Sequence, residues 1–318
     1  MRRREFIAAL GLLPFLPDGC QRRRRPALAL ATADTESHVA VLDVDTGRVR
    51  RRVASVEGPR SIEWAGGSRT VVAHTDAGAL SLLDGATVRR VLRGVAEPRY
   101  TAVAPGGRLA YVTDSARGEV VVLDLERGRL VGGAEVGALA RHLTIAPDGR
   151  TLWVALGKRA AEVAVVDLSA PRRPRVRRLL RPPFLAHDVA CSPGGRRLWI
   201  SSGDRGQLAL YARGAAKPLA VLPAGSPPQH VSFGARFAYV ASGEDGSVRV
   251  QRIGDGRRVA GARVATGSYN VQHGAGVVIT PSLDDGTVTI LGEGGRVLSR
   301  TRIAPAAHDA CLLPPAGR

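Results

Sequence analysis

Four of the seven histidines in this chain occupy one recurring position. His142, His187, His230 and His308 each stand at the start of a short apolar run, and Ser61, Tyr100 and Asn270 take the same place in three further runs. Neutral imidazole is a ligand for copper, zinc and iron. Four histidines gathered from separate segments, His142, His187, His230 and His308, could therefore hold a transition metal. The wider set of Tyr100, His142, His187, Asp188, His230, Asn270, His308 and Asp309 could bind a polar small molecule. The bland alternative is that these residues cap strand ends. Successive members lie 39, 42, 45, 43, 40 and 38 residues apart. Such distances are far longer than local metal-ligand spacings and carry no metal signal of their own.

No catalytic signature accompanies them. The chain has no Gly-x-Ser-x-Gly, no His-Glu-x-x-His, no phosphate loop and no dinucleotide glycine pattern. The pairs His187-Asp188 and His308-Asp309 lack a positioned nucleophile and so do not form a triad. No catalytic residue is assigned.

The elements that must position these residues repeat with a period near forty, which is what four-stranded propeller blades show. The clearest copy runs through Arg141-His142-Leu143-Thr144-Ile145, a Pro147-Asp148-Gly149 turn, Thr151-Leu152-Trp153-Val154, a loop, and Val163-Ala164-Val165-Val166-Asp167. Strand A follows the anchor. A Pro-Asp-Gly or Pro-Gly-Gly turn comes next, with proline presetting φ and glycine accepting a positive one. Strand B carries an aromatic (Tyr111, Trp153, Trp199, Tyr239), predicted to pack between blades. Strand C ends in aspartate three times (Asp43, Asp124, Asp167), and strand D is rich in arginine. Residues 27–45 supply strands B and C without an A, and the last anchor, His308, starts a single strand. The expected fold is all-β: a seven-bladed propeller of four-stranded blades over residues 27–318, closed by N- and C-terminal strands in one blade, which removes free sheet edges.

The strings Ala104-Pro105-Gly106-Gly107-Arg108 followed by Tyr111-Val112-Thr113-Asp114, and Ala146-Pro147-Asp148-Gly149-Arg150 followed by Trp153-Val154, resemble the Tyr-Val-Thr-Asn (YVTN) family of β-propeller repeat proteins, the YncE-like group included. The resemblance covers residues 27–318. It implies a propeller fold and exported binding proteins without a shared reaction. Some members are linked to DNA binding, and related propellers include lactonases and the histidine-rich copper site of nitrous oxide reductase.

In such a ring strand A lines the central channel and strand D forms the rim. The anchors then converge on the channel mouth, on the face made by the D–A and B–C loops. That face also carries acidic B–C loops (Asp76, Asp114, Asp204, Glu244, Asp245, Asp284, Asp285), which read as ordinary hairpin residues. Trp64 is off register and has no assigned role. The formal net charge of +18 comes mostly from arginine. Arg175, Arg177 and Arg178, with residues 50–52 and similar pairs, fall on the rim. They are candidates for binding an anionic polymer or DNA by counterion release, against the plainer reading of a solvated basic rim. Cys191 and Cys311 lie in strands A of non-adjacent blades, beyond disulfide reach, and are expected to be free, buried thiols.

The N-terminus reads as an address. Arg3-Arg4-Glu5-Phe6-Ile7 precedes an apolar stretch over residues 6–16, the arrangement of a twin-arginine signal. Cys20 is a lipidation candidate, although Pro17 and Asp18 depart from the lipoprotein pattern. Residues 1–26 are therefore taken as a leader and basic linker, and no transmembrane helix is expected in the mature chain. These features point to an exported monomer, periplasmic or on the cell surface, that binds a small molecule or a protein partner, with the lipid anchor or the arginines touching a membrane surface or anionic polymer. No cofactor is the default expectation and a transition metal the alternative. A metalloprotein or lactonase-like enzyme, and a DNA or polyanion binder, are the competing functions.

Overall fold

The computed structural model describes residues 27–314. The leader expected over residues 1–26, Cys20 included, lies outside the described residues. Seven four-stranded antiparallel sheets follow one another around a central axis. Blade I combines the strand Ala307–Leu313 with Leu28–Ala33, His38–Asp43 and Val49–Ala54, so the first and last described strands share one sheet. The innermost strands of blades II to VII are Pro59–Trp64, Pro98–Val103, Ala140–Ile145, Ala186–Cys191, Val231–Phe233 and Gln272–Gly274. Each touches the next, and the last returns to Ala307–Leu313, which closes the ring. Among the described residues no helix is long and apolar enough to cross a membrane.

Alternation along the strands explains the packing. Both faces of each middle strand are covered by neighbouring blades, so strands B and C are apolar nearly throughout, while strand D alternates toward solvent. Apolar clusters fill the spaces between neighbouring sheets. One joins blades III and IV through Tyr111, Val122, Leu152 and Val166, and the next joins blades IV and V through Trp153, Val163, Ile200 and Tyr211. The strand-B aromatics Tyr111, Trp153, Trp199 and Tyr239 are all buried in these clusters, as expected of packing residues. The A–B turns place Gly107, Gly149 and Gly195 at φ of 65°, 70° and 67°, the left-handed region where a Cβ would clash.

The aspartates that end strand C are structural. Asp124 pairs with the Arg127 and Arg172 guanidinium groups, and the backbone N–H of Arg127, with its guanidinium and the Glu126 N–H, holds the Asp124 carboxyl below the usual range. Both interior cysteines are free. Cys311 is buried, but Cys191 is only half-buried, because it lies at the open end of its strand, just before the A–B turn.

Candidate functional site

The anchors stand on a repeated irregularity of strand A. In blades II to V the pairing with strand B skips between Pro59 and Ser61, Pro98 and Thr101, Ala140 and Leu143, and Ala186 and Val189. Blade I shows the same skip opposite Thr32. A bulge re-aims the side chains it carries; in blades III to V and I it falls on the anchor and its neighbour, and in blade II on Arg60, just before the anchor. Strand-B hydroxyls pin it. Thr113 Oγ1 donates to the Arg141 carbonyl at 2.6 Å, one blade onward, and lies 3.4 Å from the carbonyl of Tyr100 in its own blade. Thr32 Oγ1 spans the carbonyls of Asp309 and Arg60, each at 3.2 Å. Ser201 accepts from the Asp188 N–H and donates to the Gln229 carbonyl. In Tyr111-Val112-Thr113-Asp114 the threonine therefore ties two blades together at the anchor. The aspartate, fully buried, accepts from the N–H groups of Ala96 and Glu97 at 2.6 and 3.1 Å.

Three of the four anchor histidines come together. One donor atom from each of His142, His187 and His230 lies within 4.8 Å of the others. The His142 ring centroid is 4.6 Å from that of His187 and 4.5 Å from that of His230. Tyr100 stacks against the group, 4.2 Å from the His142 ring, with its hydroxyl 3.5 Å from His230 Nε2. His187 Nδ1 lies 3.2 Å from the Lys158 carbonyl, which places its proton on Nδ1 and frees Nε2. His230 Nδ1 lies 3.7 Å from Asp188 Oδ2. His142 is 1% exposed, and neither of its ring nitrogens has a hydrogen-bond partner among the described residues. Orphaned polar atoms at such depth cost about 1–3 kcal/mol each.

His308 stands apart from the four-histidine set expected from the sequence. Its Nδ1 lies 2.8 Å from the Arg60 carbonyl and so carries the proton. The Asn270 amide donates to the His308 backbone carbonyl at 2.6 Å. Both residues serve the inner wall of the ring. The reason is position: His308 belongs to blade I, across the channel from blades IV to VI, which supply the cluster.

A polar cavity of about 150 Å³ adjoins the cluster, lined by Tyr100, His142, His230, Asp188, Asp309 and Glu63 among others. Burial dominates its electrostatics. It pushes His187 down to about 3 and takes His142 and His230 well below the ordinary histidine value, so all three rings are neutral at pH 7. It pushes Asp188 up to about 6 and Asp309 up to about 7, although each accepts two backbone N–H bonds. Burial, helped by Asp309, lifts Glu63 to about 8.

Glu63 went unread in the sequence, as did the arginines Arg60, Arg99 and Arg141 at the channel mouth. The arginines did leave a signal, since each immediately precedes an anchor in three consecutive copies. Glu63 left none: the equivalent residues of other copies are not acidic.

The rim differs. Arg177 pairs with Asp167 at 2.8 Å, and Arg178 donates to the carbonyls of Gly214 and Ala215. Of the three rim residues singled out, Arg175 and Arg177 are exposed and Arg178 is half-buried. Trp64 is partly exposed beside a larger cavity at the opposite end of the channel.

No protein-family model matches the chain, and no curated protein matches it in sequence. Solved structures do. A functionally unknown protein from Desulfotomaculum acetoxidans DSM 771 superposes with a TM-score of 0.79 at 11% identity, over 91% of this chain and 99% of that one. Apo AztD from Citrobacter koseri gives 0.70 at 13% identity, over 92% and 99%. The dihydro-heme d1 dehydrogenase NirN, in complex with DHE, gives 0.62 at 21% identity, over 91% of this chain and 66% of NirN. At these identities the likeness is one of fold: this chain is a seven-bladed β-propeller.

Proposed function

We propose that this chain is an exported binding propeller of the YVTN type that holds one divalent transition metal on His142, His187 and His230. The observation that carries the reading is the convergence of three neutral imidazoles from consecutive blades, two buried and one half-buried, with neither ring nitrogen of His142 partnered among the described residues. Tetrahedral ligands about 2.0–2.1 Å from a metal stand roughly 3.3 Å apart. Small ring rotations from separations within 4.8 Å would close the site.

Zinc, copper, nickel and iron all suit imidazole. The Lys158 carbonyl fixes the His187 ring so that Nε2 points away from it toward the site, and Asp188 beside His230 supplies the carboxylate that commonly backs a metal-binding histidine. Tyr100 covers the cluster from blade III and limits water access. No reaction is assigned: a metal carrier or sensor requires only reversible binding. Export is supported by Arg3-Arg4-Glu5-Phe6-Ile7 ahead of an apolar stretch, a route that accepts a protein folded with its metal already bound, and Cys20 offers a lipid anchor.

The test is elemental analysis and zinc or cobalt titration of protein folded in the cytoplasm. One equivalent is expected in the wild type and in His308→Ala, and none in His142→Ala. Wild-type protein with no stoichiometric metal, and a melting temperature unmoved by added zinc or by chelator, would remove the reading.

A further inference from the structure

The cavity beside the histidine cluster is rich in acceptors. Glu63 of blade II, Asp188 of blade V and Asp309 of blade I all line it, and no lysine or arginine does. The nearby arginines are engaged elsewhere: Arg60 pairs with Asp34, Arg99 with Glu97, and Arg141 lies over the Tyr100 ring. Asp188 and Asp309 each accept two backbone N–H bonds. One of those donors, the Ile62 N–H at 3.1 Å, seats Asp309 against the strand that carries Glu63. The Glu63 carboxyl accepts no hydrogen bond among the described residues, and the charge acting on it is that of Asp309, which repels.

The same walls hold other polar atoms without partners. Ser61 and Thr101 line the cavity, are 2% and 8% exposed, and neither hydroxyl has a partner among the described residues. Both nitrogens of His142 share that condition. A void of about 150 Å³ accommodates a molecule of roughly six non-hydrogen atoms. Among the described residues no three carboxylates come within coordinating reach of one another; only the histidines do. The acidic groups are spread around a molecule-sized space and not gathered about one ion. Glu63, Thr101, Leu143 and Thr144 also line the larger cavity at the Trp64 end, so a path reaches Glu63 from that side.

We propose that the channel binds a small polar primary ammonium compound, its charged nitrogen on Glu63 beside Asp309 and its remaining polar groups on Ser61, Thr101 and His142. An ammonium donates up to three charge-assisted hydrogen bonds, which suits an acceptor wall without a cation of its own. Burial pushes the Glu63 carboxyl toward its protonated form. An ammonium seated on its oxygens takes the place of that proton, which leaves to solvent. The site goes beyond the proposed metal and does not require it.

Calorimetric titration of chelator-treated protein with ethanolamine and with 1,4-diaminobutane tests the site. Ethylene glycol serves as the uncharged match to ethanolamine, and calcium as a bare cation. At least one amine should bind one-to-one, with ethylene glycol weaker by at least about 10-fold for want of the charge-assisted bonds. Glu63→Gln should weaken the amine by at least about 10-fold as well. Ser61→Ala should weaken it by about 2–10-fold, the worth of one neutral hydrogen bond. Glu126→Gln, on an exposed residue beside Arg108, should bind as the wild type does. Melting curves establish that each variant folds. Binding of neither amine, ethylene glycol bound as tightly as ethanolamine, calcium bound in place of the amines, or an unchanged affinity in Glu63→Gln overturns the proposal. The titration uses no transition metal, so a histidine cluster that takes up no zinc would leave the amine result intact.

Discussion

The outer rim and the channel mouth are both built from polar side chains, and they differ in what those side chains lack. Rim arginines are largely exposed and find ready partners: Arg177 has Asp167, Arg178 has two carbonyls, and Arg172 has Asp124. At the mouth, His142 is buried with both nitrogens free, and Arg141 has no carboxylate among the described residues. Charge density alone would point to the rim. Water satisfies an exposed guanidinium at little cost, and surface ion pairs contribute little. A buried group without a partner is costly, and its persistence calls for a ligand.

The comparison can be broken by measurement. The largest effect is expected at the cluster: His142→Ala or His187→Ala should weaken zinc or cobalt binding by more than about 100-fold, since even outer-shell partners are worth about 10–100-fold. Competition titration against a chelating dye reads it. Binding that survives either change would place the metal elsewhere.

Next comes the tie that builds the mouth. Thr113→Val keeps the shape but removes the donor to the Arg141 carbonyl. A loss of about 1–3 kcal/mol is expected from a buried carbonyl left unpaired, read as a fall of several degrees in melting temperature. A melting point within one degree of wild type would show that the bulge holds itself.

A smaller effect concerns Glu63. The folded protein keeps this carboxyl protonated up to about 8, whereas the unfolded chain releases the proton near 4.5. The folded state therefore binds more protons between those values. Wild-type stability should fall as pH rises through that window and level off above it. Glu63→Gln removes that loss, so its advantage in melting temperature should grow from pH 5 to pH 8. Asp309, raised to about 7, leaves part of the slope in place. An advantage that shrinks with pH would contradict the assignment.

The smallest effect is expected at the rim. Arg177→Ala and Arg178→Ala should leave DNA or polyanion affinity unchanged at fixed salt, because both guanidinium groups are already engaged. A marked loss in either would restore the rim as a binding surface and weaken the contrast drawn above.

Much of the fold could be read directly. The seven anchors, the Pro-Gly turns and the strand-B aromatics each repeat, and a repeat tells where blades begin because every blade meets the same packing problem. The shared sheet of the first and last described strands followed from counting strands around the ring. Convergence of the anchors followed from the same geometry. The selection among them did not: His308 resembles His142 in sequence, yet it hydrogen-bonds to the wall on the far side.

By itself, the sequence determined the architecture of this protein, because local alternation, turn chemistry and a forty-residue period are properties of neighbouring residues. Only the tertiary structure decided which imidazoles meet, that Glu63 is forced to keep its proton, and that Arg141 meets no carboxylate among the described residues. Those outcomes depend on distances across the ring and on the exclusion of water, which join residues tens to hundreds of positions apart and leave no trace in any single segment.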